Sequence, residues 1–202
     1  MNLFLFLILL LQILSMLFIV VISAIGIYFF FNSQFLSNPP PVPSSGKIKT
    51  KIIDDVASVL AKRKKQVVMD LGSGWGTLLL PLARKFPNHR FIGIEYGFIP
   101  CLVSKFRARK MKNITFYRQN FFNSNISKAD IIFLFLWTRM MPKISKKCQS
   151  EAKEGTLLYV NRFPIPDMKA KREVSLGCKY DTYYIYEVQK RHLNKKTLSA
   201  KK

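Results

Sequence analysis

Val67-Val68-Met69-Asp70-Leu71-Gly72-Ser73-Gly74-Trp75-Gly76 is an apolar run that ends at an acid and then breaks into alternate glycines. The valines at its start favour a strand, and the glycines at its end leave backbone that can bend sharply and be approached closely. A strand that breaks this way where a helix opens is the form of a nucleotide-binding loop, with bare backbone turned to the ligand. A second strand, Phe91-Ile92-Gly93-Ile94-Glu95, ends in an acid 25 residues after Asp70. In a Rossmann-like unit an acid there takes the ribose hydroxyls. The glycines run Gly72-x-Gly74-x-Gly76 and not G-x-G-x-x-G, which disfavours a dinucleotide.

Outward from this loop the pattern alternates. It predicts strand 66–70, helix 76–86 kinked at Pro81, strand 90–95, helix 98–110, strands 114–118 and 130–136, helix 139–153 and strand 156–161. Alternation at this spacing means a parallel sheet with helical crossovers, and Ile131-Ile132-Phe133-Leu134, apolar on both faces, reads as a central strand. Glu173 to Cys178 and Thr182 to Val188 alternate about Lys179-Tyr180-Asp181 and read as an antiparallel hairpin. Ahead of the loop, Ile48, Ile52, Ile53, Val56, Val59 and Leu60 mark an amphipathic helix.

Charge divides the chain of 202 residues. Residues 1–46 hold no Asp, Glu, Lys, Arg or His, so the formal net charge of +22 belongs to the remainder. Leu3 to Phe31 is an almost unbroken apolar stretch of 29 residues, enough to cross a bilayer with tilt. It lacks the basic start and the small-x-small cleavage site of a signal peptide. The first charges after it are Lys47, Lys49 and Lys51, which by the positive-inside rule set the following domain in the cytoplasm. In a bacterium that means the inner membrane. The reading is therefore a transmembrane anchor over 1–33, a Pro-rich linker over 34–46, the nucleotide-binding α/β domain over 47–190 and a basic tail over 191–202. The basic excess suits the anionic lipids of the inner leaflet, with nucleic acid the second candidate. Three scattered cysteines, Cys101, Cys148 and Cys178, form no disulfide framework, and with only His89 and His192 no metal site is expected.

Asp70-Leu71-Gly72-Ser73-Gly74-x-Gly76, followed by Glu95 and the terminal hairpin, resembles motif I of the class I S-adenosylmethionine-dependent methyltransferases. Val42-Pro43-Ser44, Ala129-Asp130-Ile131-Ile132-Phe133, Met140-Met141-Pro142 and Arg162-Phe163-Pro164-Ile165-Pro166 narrow the likeness. They resemble blocks of the membrane-anchored lysine methyltransferases that modify mitochondrial carriers and the c-ring protein of ATP synthase, and of their bacterial relatives. The resemblance implies an α/β Rossmann-like sheet of seven strands, mostly parallel with an antiparallel C-terminal hairpin, and S-adenosyl-L-methionine as cofactor. It also implies that the acceptor is a lysine of a membrane protein.

Asp70, Gly72, Ser73, Gly74, Gly76 and Glu95 are then the cofactor-binding candidates. Asn120, where many methyltransferases place Asp near the adenine amine, is either a seventh or a loop cap. Trp75 stands where the family carries an acid. Trp137, Thr138, Phe163 and Pro164 follow the fourth and fifth strands, on the carboxyl edge where open α/β sheets bind ligands. They are candidates for a channel admitting an alkyl amine, or packing residues. No acid–base dyad is apparent. Two other readings stay open: methylation of RNA, a lipid or a quinone, and a non-catalytic binding protein on the same fold.

Overall fold

A computed structural model of the chain describes residues 2–35, 46–177 and 181–189. Residues 36–45 of the expected linker, the expected tail 191–202, Val42-Pro43-Ser44 and Cys178 lie outside these residues, while 34–35 belong to the first helix and Gly46 opens the second. The chain forms two compact units, 1–43 and 44–202. In the first, helix α1 (Leu3–Phe35) contains a stretch, Leu3–Phe29, with mean hydropathy 3.1, long and apolar enough to cross a membrane.

The second unit is a seven-stranded sheet of order β3-β2-β1-β4-β5-β7-β6. Its strands are β1 (Val67–Leu71), β2 (Arg90–Glu95), β3 (Ile114–Arg118), β4 (Ile131–Leu134), β5 (Leu157–Asn161), β6 (Arg172–Ser175) and β7 (Thr182–Glu187). The first five pair in parallel, and β7 inserts antiparallel between β5 and β6. The expected mixed sheet with its C-terminal hairpin is therefore the fold. Side-chain alternation sends Val68, Phe91, Ile131 and Phe133 to one face, against helices α2 (Gly46–Ala61), α3 (Leu79–Lys85) and α4 (Phe98–Ala108). It sends Met69, Leu71, Ile132 and Leu134 to the other, against α5 (Met141–Glu151). Helix α2 inserts Ile48, Ile52, Val56 and Leu60, one per turn and all buried, as its spacing predicts.

Two helices start later than their periodicity suggests. Gly76 adopts a left-handed φ of 72°, so residues before α3 run as turns and the helix opens at Leu79. Pro81 thereby falls in the first turn, where no N–H is required, and produces no kink. Residues Thr138–Met140 form a 3-10 turn, and α5 begins at Met141 with Pro142 in its first turn.

Candidate functional site

The loop after β1 hangs from its neighbour strand. The N–H groups of Gly72 and Ser73 both donate to the carbonyl of Ile94 on β2, at 2.8 and 2.9 Å. Glu95, the last residue of β2, closes the same loop from the side chain: one oxygen accepts from Gly74 N–H and the other from Gly97 N–H, each at 2.7 Å. One carboxylate thus ties the glycine loop to the start of α4, and each of its oxygens keeps a lone pair for a further donor. Arg107 on α4 supports the loop from outside by donating to the carbonyl of Trp75 at 2.7 Å.

Gly93 explains why the loop lies so close to the sheet. A Cβ at this position would sit 2.3 Å from Phe116 and 2.8 Å from Ser73 Oγ, so only hydrogen fits. Above Gly74 the opposite holds: a Cβ would meet nothing within 4 Å, leaving open space over the loop. A glycine in a strand commonly marks close approach of another segment, and that signal was present in the sequence.

Asp70 pairs in register with Gly93 and is 2% exposed. Burial, and secondarily the negative charge of Glu95, pushes its carboxyl up from 3.8 to about 8. Asp70 Oδ1 and Ser73 Oγ are buried with no hydrogen-bond partner. Leaving such atoms unsatisfied costs about 1–3 kcal/mol each, a cost that a ligand with donors at this position would relieve. Two orphaned polar atoms, a carboxylate with spare lone pairs and a bare loop fit a nucleoside carrying amino and hydroxyl groups. The fold family implies S-adenosylmethionine, and these residues suit it.

The segment after β3 lies alongside, since Gln119 N–H donates to the carbonyl of Glu95 at 3.1 Å. Asn120 caps the 3-10 turn Phe121–Asn123, its side-chain oxygen accepting from Phe122 N–H at 3.0 Å. The cap leaves the Asn120 side chain exposed beside the Glu95 segment with a second lone pair on its oxygen, so capping the turn and a place at the base are compatible.

On the other side of β1, the structure brings two candidates together and leaves two outside. Trp137 and Phe163 stack, with ring centroids 6.2 Å apart and planes 29° from parallel. Leu136 sits 3.4 Å from where a Gly72 Cβ would be, so the segment bearing Trp137 abuts the glycine loop. Thr138 and Pro164 are exposed and make no part of the stack. Sequence reasoning missed Arg162, whose left-handed φ of 66° turns the chain out of β5 and holds its guanidinium 6.0 Å from the Phe163 ring. Non-glycine residues held in this region store strain of roughly 1–3 kcal/mol and cluster at functional sites. The Tyr186 hydroxyl oxygen on β7 fixes the following turn by accepting from Ile165 N–H at 3.0 Å.

Comparisons with known proteins agree with this geometry. The family described as the ANTKMT methyltransferase domain matches residues 70–172. A protein-lysine N-methyltransferase of Saccharolobus islandicus is 24% identical over 160 residues, covering 77% of this chain and 97% of that protein. A lysine N-methyltransferase of Xenopus laevis, named for the C component of ATP synthase, is 27% identical over 154 residues, covering 74% of this chain and 63% of that one. Among solved structures, an RNA methyltransferase from Salinibacter ruber in complex with S-adenosyl-L-homocysteine shares the fold. It has TM-score 0.63 and 22% identity, and covers 73% of this chain and 94% of that one. The loop, the sheet order and the matched domain together make the chain an S-adenosylmethionine-dependent methyltransferase, a member of the ANTKMT methyltransferase domain family.

Proposed function

We propose that this methyltransferase is anchored in a membrane by residues 1–33 and methylates a lysine side chain of a membrane protein. The observation that carries the reading is the stacked pair of Trp137 and Phe163 beside the glycine loop, at the carboxyl edge of β4 and β5. Aromatic side chains at this edge would wall the path of a straight alkyl chain and favour the cationic product through their outer π faces. The names of the relatives, which act on protein lysine, support the same acceptor. The long apolar α1 supports the anchor. In this organisation 34–46 is the linker, 47–190 the catalytic domain and 191–202 a basic tail, on the cytoplasmic side.

S-adenosylmethionine, when bound, supplies an electrophilic methyl carbon on a cationic sulfur. The proposed holders are Asp70 and Ser73 at the amino-acid end, Gly72, Gly74 and Gly76 under the nucleoside, Glu95 at the ribose and Asn120 near the base. The protein's remaining task is alignment and water exclusion. The acceptor ammonium gives its proton to solvent before its lone pair is used, and aromatic, poorly hydrated walls around it would lower its pKa for that purpose. No His–Asp dyad is required.

Labelling native membranes with the full-length protein and isotopically labelled S-adenosylmethionine tests this directly. Label recovered as methyl-lysine in a membrane protein is the expected result. Label confined to RNA or to the lipid extract would overturn the lysine assignment, and the strong positive charge makes RNA the competitor to check.

A further inference from the structure

Helix α4 is built inside out. Its inward residues are small, Cys101, Ser104 and Ala108, while Phe98, Leu102 and Phe106 point to solvent at 49, 54 and 63% exposure. Their spacing of four places them along one outer stripe. Nothing in the sheet or the catalytic loop needs large apolar side chains on that outer face. Soluble surfaces seldom expose a contiguous apolar patch that has no partner.

Charge identifies the partner. From Tyr96 to Ala129 the sequence contains no Asp or Glu but seven basic residues: Lys105, Arg107, Arg109, Lys110, Lys112, Arg118 and Lys128. Two of them lie against the stripe itself, Arg109 over the Phe106 ring at 4.0 Å and Arg118 over the Phe98 ring at 5.1 Å. Aromatic and aliphatic groups that project outward, fringed by long cationic side chains, match the chemistry of an anionic lipid surface. The apolar groups enter the headgroup boundary and the cations stay at phosphate level. A protein partner would call for acidic complements to a surface this basic, whereas a bilayer supplies both halves of the complement at once.

The geometry points to the outer face of α4 as a second membrane contact that docks the catalytic domain onto anionic lipid. This contact rests on the reading that α1 anchors the chain, and adds to it a fixed orientation of the domain. Docking through α4 would hold the glycine loop near the bilayer and favour lysines close to the membrane surface.

The chain has two tryptophans, so full-length protein carrying Trp75→Phe and Trp137→Phe with Phe98→Trp reports from the stripe alone. It is reconstituted into vesicles of phosphatidylcholine with or without phosphatidylglycerol, with and without brominated acyl chains, and its flotation is measured in parallel. With anionic lipid, emission from position 98 shifts to the blue and loses about half its intensity to brominated chains, as expected at the shallow depth of an interfacial helix. Adding Leu102→Glu and Phe106→Glu removes most of that quenching while flotation persists. A separate Lys105→Glu and Lys110→Glu variant, which leaves the apolar stripe intact, erases the difference between anionic and neutral vesicles. Protein that floats with the reporter unquenched overturns the docking contact and leaves the anchor standing. Protein that does not float overturns both. A doubled mass in detergent that Leu102→Glu and Phe106→Glu abolish, with the reporter unquenched, reassigns the stripe to a second copy of the chain.

Discussion

Asp70 carries an electrostatic tension that a bound ligand would resolve. Its carboxyl, raised from 3.8 to about 8 by burial and by Glu95, holds its proton at neutral pH when no cation faces it. Between those two values the folded state binds the proton and the unfolded state does not. The contribution to stability is therefore full below 3.8 and is lost as pH rises through about 8. A cationic amino group at Asp70 favours the ionised form, so cofactor uptake should release a proton and tighten from about pH 6 to about pH 8. Asp70→Asn should remove that dependence and weaken binding by roughly tenfold to a hundredfold, the size of a lost charged hydrogen bond. Calorimetry in buffers of different ionisation heat reads both effects; a proton release unchanged in the variant would show that another group titrates. Gly93→Ala probes the same place sterically. Its methyl group would press on Phe116 at 2.3 Å and on Ser73, and should cost about 1–3 kcal/mol of stability as overpacking does. Denaturant midpoints with and without cofactor should both fall, since Ser73 is displaced with the loop.

Among the elements, α2 and the terminal strands are joined by one carboxylate. Asp55 on α2 accepts from the Tyr183 hydroxyl on β7 and from Arg172 on β6, and pairs with Lys51 at 3.5 Å. Burial and this hydrogen bond drive the Tyr183 hydroxyl upward, so it remains a donor throughout the accessible pH range. Asp55→Ala strands the buried Tyr183 hydroxyl, while the half-exposed Arg172 is re-solvated, and should destabilise the domain by about 1–3 kcal/mol. Adding Tyr183→Phe to that variant should cost far less than Tyr183→Phe alone, a non-additivity that a double-mutant cycle measures. The amphipathic period of α2 was legible residue by residue, because one-per-turn apolar spacing is a property of the local chain. The clamp was not. Asp55 and Tyr183 are 128 positions apart, and only the antiparallel insertion of β7 brings the hairpin to α2. The late start of α3 was hidden for a related reason: Gly76 can enter a helix or a left-handed turn, and only the fold shows it left-handed and pressed against Phe116 of β3 with no room for a Cβ.

For the whole molecule, the proposed anchor changes rates through concentration and not chemistry. Confining enzyme and acceptor to one membrane raises their effective concentration, so deleting residues 1–33 should slow methylation of a membrane-held lysine by roughly a hundredfold or more. Transfer to a soluble lysine peptide should change little, and comparing the two initial rates separates tethering from damage to the active site. Equal losses on both acceptors would mean that residues 1–33 support the fold instead.

The sequence by itself determined the sheet class, the glycine loop, Glu95 and the apolar N-terminal helix, because each depends on contiguous patterning or on fixed spacing along the chain. Tertiary structure alone decided that Trp137 and Phe163 stack while Thr138 and Pro164 stand apart, and that Asn120 caps a turn. It alone turned Arg162 into a left-handed conformation and left the bulky face of α4 outside. These outcomes depend on which strand ends become neighbours and on which side of a helix meets the sheet, and both are set by packing between segments far apart in the chain.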